Sequence, residues 1–276
     1  MVKTIFRLLV VAGLGACDRG LETPSPSTGA TVFFPDVGQG QATAVRSGAA
    51  CALVDAGPIP DTAVLFWGRT IPCDSFAAVL VTHWDLDHRG GLDSLLAVRP
   101  VGELLYGRLP EEDSVLARLQ GYCRRTRRGC RQVQAGERLD ALDSVSWQIL
   151  STGPDSLSEG NETSVVSRFS DARGSLLIAG DLDSLGEQTL VLTGSVTVKS
   201  DLLLLSHHGS AGSNSLAWLG AVRPRLVVAQ AGRSNRYGHP SAATLERLAA
   251  MGIPYWSTAS LGGVRMRLDG SEREGM

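Results

Sequence analysis

A sandwich of two mixed β-sheets with helices outside is the architecture this sequence predicts. Three observations lead there. The chain has 276 residues and is 43% hydrophobic, enough to bury a sizeable core. Short apolar runs of strand length outnumber helical periodicities in each half, which disfavours a doubly wound parallel sheet. Charged residues make up only 20%, and the 32 glycines follow no period, which excludes disorder, collagen and coiled coil.

The elements follow in order. Thr31–Phe34, Ala42–Arg46 and Cys51–Val54 read as short strands separated by Gly turns. Asp61–Trp67 reads as a short helix and Ala77–Val81 as a buried strand running into a polar cluster. Leu92–Val98 is helical, Glu103–Tyr106 a strand, and Glu111–Tyr122 an amphipathic helix behind Pro110. Val145–Leu150, Ser164–Phe169 and Ser175–Ala179 are strands, and Leu182–Leu192 a helix. Asp201–Ser206 is a strand, Ser215–Gly220 a helical turn and Arg225–Ala229 a strand. Ser241 caps a helix reaching Met251, and Val264–Leu268 closes the sheet.

Residues 1–16 have the shape of an export signal. Lys3 and Arg7 precede the apolar run Leu8–Leu14, which is too short to span a bilayer. Leu14-Gly15-Ala16-Cys17 resembles a bacterial lipobox, which implies cleavage before Cys17 and lipidation there. Residues 17–29 are rich in Pro, Ser and Thr and read as a solvated tether. Residues 30–276 then form the folded domain. The expected location is the bacterial cell envelope, with the lipid on Cys17 as the membrane contact. No stable protein partner is expected.

Net charge is −2 and the isoelectric point is near 6.2, so composition gives no overall basic footprint for nucleic acid. Loss of Lys3 and Arg7 leaves 24 basic residues against 28 acidic ones. Five cysteines become one lipid anchor plus Cys51, Cys73, Cys123 and Cys130. Four cysteines in an exported chain allow three pairings, which sequence alone does not choose among. Cys123–Cys130 is the most local, and Cys51–Cys73 would then remain.

The chemistry lies where strands end. Strand Ala77–Val81 leads into Thr82-His83-Trp84-Asp85-Leu86-Asp87-His88, with four metal-capable side chains in six residues. Such a packet of carboxylates and imidazoles is costly unless a cation neutralises it, and the mixture suits Zn²⁺ or Mn²⁺. Asp181 follows Leu176–Gly180, the pair His207-His208 follows Leu202–Ser206, and His239 lies beyond Val227–Gln230. All five histidines thus lie beyond apolar strands, which argues for one shared site. Two divalent cations bridged by an aspartate would use these ligands well.

His83-x-Asp85-x-Asp87-His88 resembles the His-x-His-x-Asp-His signature of the metallo-β-lactamase superfamily, with Asp85 in place of the second His. Asp36-Val37-Gly38-Gln39-Gly40, Leu53–Gly57, Gly180-Asp181, His207–Ser210 and Arg236–Pro240 follow in the family's order. The set resembles the hydrolase domain at the end of ComEC-type DNA-uptake proteins, and it covers Thr31 to Leu268. The resemblance implies an αββα sandwich with a dinuclear site at one edge. One metal would take His83 and Asp85, and the other Asp87 and His88. Asp181 would bridge them, and His207 or His208 would complete the second site. His207 is favoured because it comes first after the strand, leaving His208 to face substrate or orient the ligand. Asp55 would orient a ligating His, and Asp36 and Gln39 would belong to the rim. Asn161 stands where relatives carry another ligand position, and it is equally a turn former after Gly160. His239 would contact phosphate or aid the leaving group. This branch commonly has Asp after Asp-Val-Gly-Gln-Gly, where this chain has Gln41.

The implied activity is metal-assisted hydrolysis of a phosphodiester such as DNA, with a cation-activated water as nucleophile and Asp87, His208 and His239 in the catalytic group. Arg124, Arg125, Arg127, Arg128 and Arg131 form a cluster able to grip a phosphate backbone, and they equally suit a solvated disulfide loop. Alternatives are an esterase for phosphorylcholine-type envelope polymers, a lactam or lactone hydrolase on the same scaffold, or a silent binding module.

Overall fold

The computed structural model describes residues 29–59, 70–154, 160–194 and 196–276. The signal segment, Cys17, nearly all of the tether and the expected helix Asp61–Trp67 lie outside the described residues.

The first sheet collects β1 (Thr31–Phe34), β2 (Thr43–Ser47), β3 (Ala50–Val54), β4 (Phe76–Val81), β5 (Val101–Tyr106) and β6 (Cys130–Gln132). The second collects β7 (Arg138–Leu139), β8 (Ser146–Ser151), β9 (Val166–Ser170), β10 (Ser175–Ile178), β11 (Leu202–Leu204), β12 (Leu226–Ala229) and β13 (Tyr255–Ser257). The chain then returns to the first sheet with β14 (Val264–Arg267) and β15 (Glu274–Gly275). The strand orders are β15-β14-β1-β2-β3-β4-β5-β6 and β13-β12-β11-β10-β9-β8-β7. Both sheets mix parallel and antiparallel pairs, as expected.

Strand alternation explains the layering. Val32 and Phe34 of β1 face the other sheet and share one core with Leu80, Trp147, Leu176 and Leu204. Phe33, between them, points outward with Leu53, Val79 and Leu104. That outer face is covered by α2 (Leu92–Val98) and α3 (Asp113–Cys123), which follow α1 (Leu86–Arg89). The second sheet's outer face is covered by α4 (Ser184–Thr193), α5 (Leu216–Val222) and α6 (Ala242–Ala250), with Trp218 and Leu248 fully packed beneath them. A last short helix, α7 (Thr258–Leu261), follows β13. Ser241 caps α6 by accepting a hydrogen bond from the Thr244 amide.

The strand directions define two ends. β3, β4 and β5 run parallel, as do β10, β11, β12 and β13. The segments after Val54, Val81, Ile178, Leu204 and Ala229 therefore emerge at one edge of the sandwich. Disulfides join Cys51 to Cys73 and Cys123 to Cys130.

Candidate metal centre

Each strand delivers one piece of the site to that shared edge. β4 delivers His83, then Asp85 as the cap of α1, whose single turn carries Asp87 and His88. β10 delivers Asp181 through Gly180. Gly180 has φ +54°, and a Cβ there would sit 2.9 Å from Thr82 Oγ1, so only glycine lets the two sheets approach this closely. β11 delivers Ser206, His207 and His208 in a tight turn. Both histidines adopt left-handed backbone angles, with φ 52° and 55°.

One ligand atom each from Asp87, His88, Asp181 and His208 falls within 4.8 Å of the others. Asp181 divides the cluster by its two oxygens. Oδ1 faces His88 Nε2 at 3.0 Å and His208 Nε2 at 3.6 Å. Oδ2 faces His207 Nε2 at 3.6 Å and His83 Nε2 at 4.0 Å. Asp85 Oδ2 lies 3.6 Å from His83 Nε2, and Asp87 Oδ2 lies 3.4 Å from His208 Nε2.

The other ring nitrogens are tied back. His88 Nδ1 donates to Asp55 Oδ2 at 2.7 Å, and His208 Nδ1 donates to the Gln230 carbonyl at 3.0 Å. His83 Nδ1 contacts Thr82 Oγ1 at 3.2 Å, while that hydroxyl donates to Asp55 Oδ2 at 2.8 Å. These contacts turn three Nε2 atoms inward. The Nε2 atoms of His83, His88 and His208 and Asp181 Oδ1 are all buried without a hydrogen-bond partner. The 3.0 Å separation of His88 and Asp181 lacks hydrogen-bond alignment. Buried polar atoms aimed at one point without satisfying each other fit a shared cation.

Asp55 is fully buried and does more than orient one ring. Its Oδ1 accepts from the Thr82 amide at 2.7 Å, and its Oδ2 also accepts from Gln41 Nε2 at 2.6 Å. Gln41, the residue that departs from the family pattern, is thus a neutral donor to the orienting carboxylate. Gly40 makes this possible: with φ +149°, a Cβ would meet the Asp87 carbonyl at 2.4 Å. That same carbonyl accepts from the Gln41 amide at 3.0 Å.

The electrostatics follow from the packing. Burial alone would push His88 down, yet the carboxylates of Asp181 and Asp55 outweigh it and hold the imidazole well above its usual range. Burial would raise Asp181, but the charges on His88 and His208 hold it well below the carboxylate range. Asp87 is likewise held low by His208 and His88 against burial, and Asp85 is held low first by the His83 imidazole beside it. His239 is pushed down, first by burial and then by the neighbouring His208 and His207.

The motif's order and this geometry point the same way. Residues 35–115 match the metallo-β-lactamase superfamily. The chain carries a metallo-β-lactamase domain. It is 29% identical over 245 residues to competence protein ComA of Neisseria gonorrhoeae, covering 88% of this chain and 33% of that one. It is 30% identical over 197 residues to ComE operon protein 3 of Bacillus subtilis, covering 69% of this chain and 24% of that one. The chain thus spans a third or less of the length of these relatives. Zinc-bound PqqB from Methylobacterium extorquens shares the fold, with a TM-score of 0.56 at 15% identity over 83% of this chain and 88% of that one.

Within this metallo-β-lactamase domain, the two adjacent histidines stand on different sides of Asp181. His208, not His207, completes the group with Asp87 and His88. The left-handed turn swings the first imidazole outward, where its side chain is 30% exposed, and tucks the second under the site at 2%. His207 instead stands on the His83 side of Asp181, with Asn161 Nδ2 at 3.3 Å from its Nδ1. His239 stacks over His208 with ring centroids 6.4 Å apart. Gln39 reaches the rim, where its amide oxygen accepts from the Gly232 amide at 3.2 Å. Asp36 is exposed and only closes a local turn with the Gly38 amide.

The arginine cluster falls elsewhere. The amides of Arg127 and Arg128 donate to Val101 and Gly102 at the start of β5, whereas His83 follows the end of β4. Val101 pairs with Phe76 and Tyr106 with Val81, so the strand's full length of about 17–20 Å separates loop and site. Arg124, Arg125, Arg127 and Arg128 therefore do not line the metal centre. Arg125 instead pairs with Asp93 at 2.7 Å.

Two residues escaped the sequence reading. Glu187 is fully buried on α4 and accepts from the amides of Asn214 at 2.5 Å and Ser215 at 2.9 Å. Asn214 in turn clamps Ser206, accepting from its amide at 3.0 Å and donating to its carbonyl at 2.9 Å. The strand-to-histidine turn is held by this relay. The only signal was the single charged residue of the helix Ser184–Thr193.

Proposed function

We propose that the protein is a metal-dependent phosphodiesterase, with a nucleic-acid strand as substrate. The observation carrying this reading is the inward convergence of buried, unpartnered Nε2 atoms of His83, His88 and His208 on Asp181. Asp87, His88, Asp181 and His208 would hold one divalent cation, and His83, Asp85, His207 and Asp181 a second, Zn²⁺ or Mn²⁺. Such cations supply charge that polarises a phosphoryl oxygen and acidifies an attacking water.

The chain's own residues do the positioning. Asp55 and the Gln230 carbonyl fix the tautomers of His88 and His208 so that each Nε2 lone pair points inward. Thr82 and Gln41 hold Asp55 in turn. His239, flanked by His207 and His208 at the rim, is placed to donate a hydrogen bond to a phosphate oxygen. Likeness to competence proteins supports DNA as the natural polymer. The disulfides support an oxidising compartment, consistent with export and a lipid anchor on Cys17. The complete set of His83, Asp87, His88 and Asp181 argues against a silent module.

The test is hydrolysis by the full-length chain of bis(p-nitrophenyl) phosphate, single-stranded DNA and nitrocefin under Mn²⁺ or Zn²⁺. Phosphodiester cleavage lost in Asp87→Ala and Asp181→Ala supports the reading. Turnover of nitrocefin alone, or full activity in both variants, overturns it.

A further inference from the structure

A cleft of about 590 Å³ opens directly beside Asp87. Its walls include Tyr237, Arg236, Leu86, Ile59 and Gln39. Tyr237, Leu86 and Ile59 are exposed large hydrophobic side chains, an unusual concentration at the mouth of a polar centre. Tyr237 is aligned, not loose. Its ring lies near-parallel to His239, at 5.7 Å between centroids and 23° between planes. The guanidinium of Arg236 sits 4.9 Å from the Tyr237 ring and donates to its hydroxyl at 2.7 Å. Asn235 pins this segment, accepting from the His239 amide at 2.9 Å and donating to the Gly232 carbonyl at 2.7 Å. Gln39 accepts from the Gly232 amide through its side-chain oxygen and lines the cleft.

We propose that this cleft is a nucleobase pocket, in which a base next to the scissile phosphate stacks on Tyr237 between the Leu86 and Ile59 side chains. The inference rests on the phosphodiesterase reading and names the substrate side of it. Each wall has a matching part on a nucleotide. An aromatic face and aliphatic edges suit a flat base, and such stacking tolerates any sequence. The Gln39 amide matches a base-edge acceptor, and Arg236 matches an adjoining phosphate. The same guanidinium disfavours a quaternary ammonium, which would need an aromatic site without a neighbouring cation.

The experiment compares the full-length protein and its Tyr237→Ala and Tyr237→Trp forms under Mn²⁺. The substrates are a single-stranded oligonucleotide and an abasic strand of equal length. Tyr237→Ala should raise KM on the normal strand about 10-fold, leave kcat nearly unchanged, and leave the abasic strand unaffected. Tyr237→Trp should restore the normal KM. A phosphorothioate oligonucleotide carrying 2-aminopurine should show quenched emission with wild type and Tyr237→Trp, and not with Tyr237→Ala. Equal cleavage of both strands by wild type, or an equal effect of Tyr237→Ala on both, overturns the base pocket alone. Inhibition of wild type by phosphocholine that Tyr237→Ala relieves overturns it in favour of a cation pocket. Cleavage of neither strand overturns the phosphodiesterase reading itself.

Discussion

Asp55 Oδ2 and His88 Nδ1 meet at 2.7 Å with neither side chain exposed to solvent. The pair joins the end of β3 to the helix after β4, and it decides which nitrogen of His88 faces Asp181. Replacing Asp55 with Asn keeps the volume and removes the charge. The Asp55→Asn protein should bind metal about 10- to 100-fold more weakly, as loss of such orienting partners typically does. Competition titration with a chromogenic chelator measures this, and unchanged affinity would show that the pair is only structural.

His88 and Asp181 set a pH dependence in metal-free protein. His88 is raised, so its contribution is complete below about pH 6.5 and fades as pH climbs through its higher folded value. Asp181 is lowered, so its contribution is present above about pH 3.9 and fades as pH falls through its lower folded value. Melting of chelator-treated protein should therefore be highest between about pH 4 and 6.5. Added Zn²⁺ should move the optimum upward, because ligation displaces the His88 proton. An optimum that stays put with and without metal contradicts the assignment of His88.

Glu187 carries the turn that presents His208. Glu187→Gln leaves one acceptor for two buried amides, which should cost about 1–3 kcal/mol. It should also weaken metal binding through the Asn214 clamp on Ser206. Thermal melts and metal titration together check this. A lower Tm with unaltered metal affinity would confine Glu187 to stability.

The arginine loop should be dispensable for chemistry. Arg124→Glu, Arg127→Glu and Arg128→Glu combined should leave kcat/KM on bis(p-nitrophenyl) phosphate unchanged, since the loop packs at the start of β5. A drop of tenfold or more would place the loop in the substrate's path.

Much of this was legible in the sequence because the chemistry is concentrated. Apolar runs such as Leu202–Leu205 and Ala77–Val81 end abruptly in His and Asp, and a strand's end is where a side chain can reach a shared edge. Ser241 as a cap and the helix Leu92–Val98 were equally plain. Three things were not. Which of His207 and His208 falls beside Asp87 and His88 depends on two left-handed residues that order along the chain does not encode. The remoteness of Arg127 and Arg128 depends on which end of β5 their loop meets. The relay from Glu187 to Asn214 bridges 27 residues and two helices, and no local pattern announces it.

Metal content tests the central claim most directly. Elemental analysis of the full-length chain, purified without chelator and dialysed against metal-free buffer, should find about two divalent ions per chain, falling sharply in Asp181→Ala. Metal-free wild type that also takes up no Zn²⁺ or Mn²⁺, or an Asp181→Ala protein with unchanged content, would contradict the account.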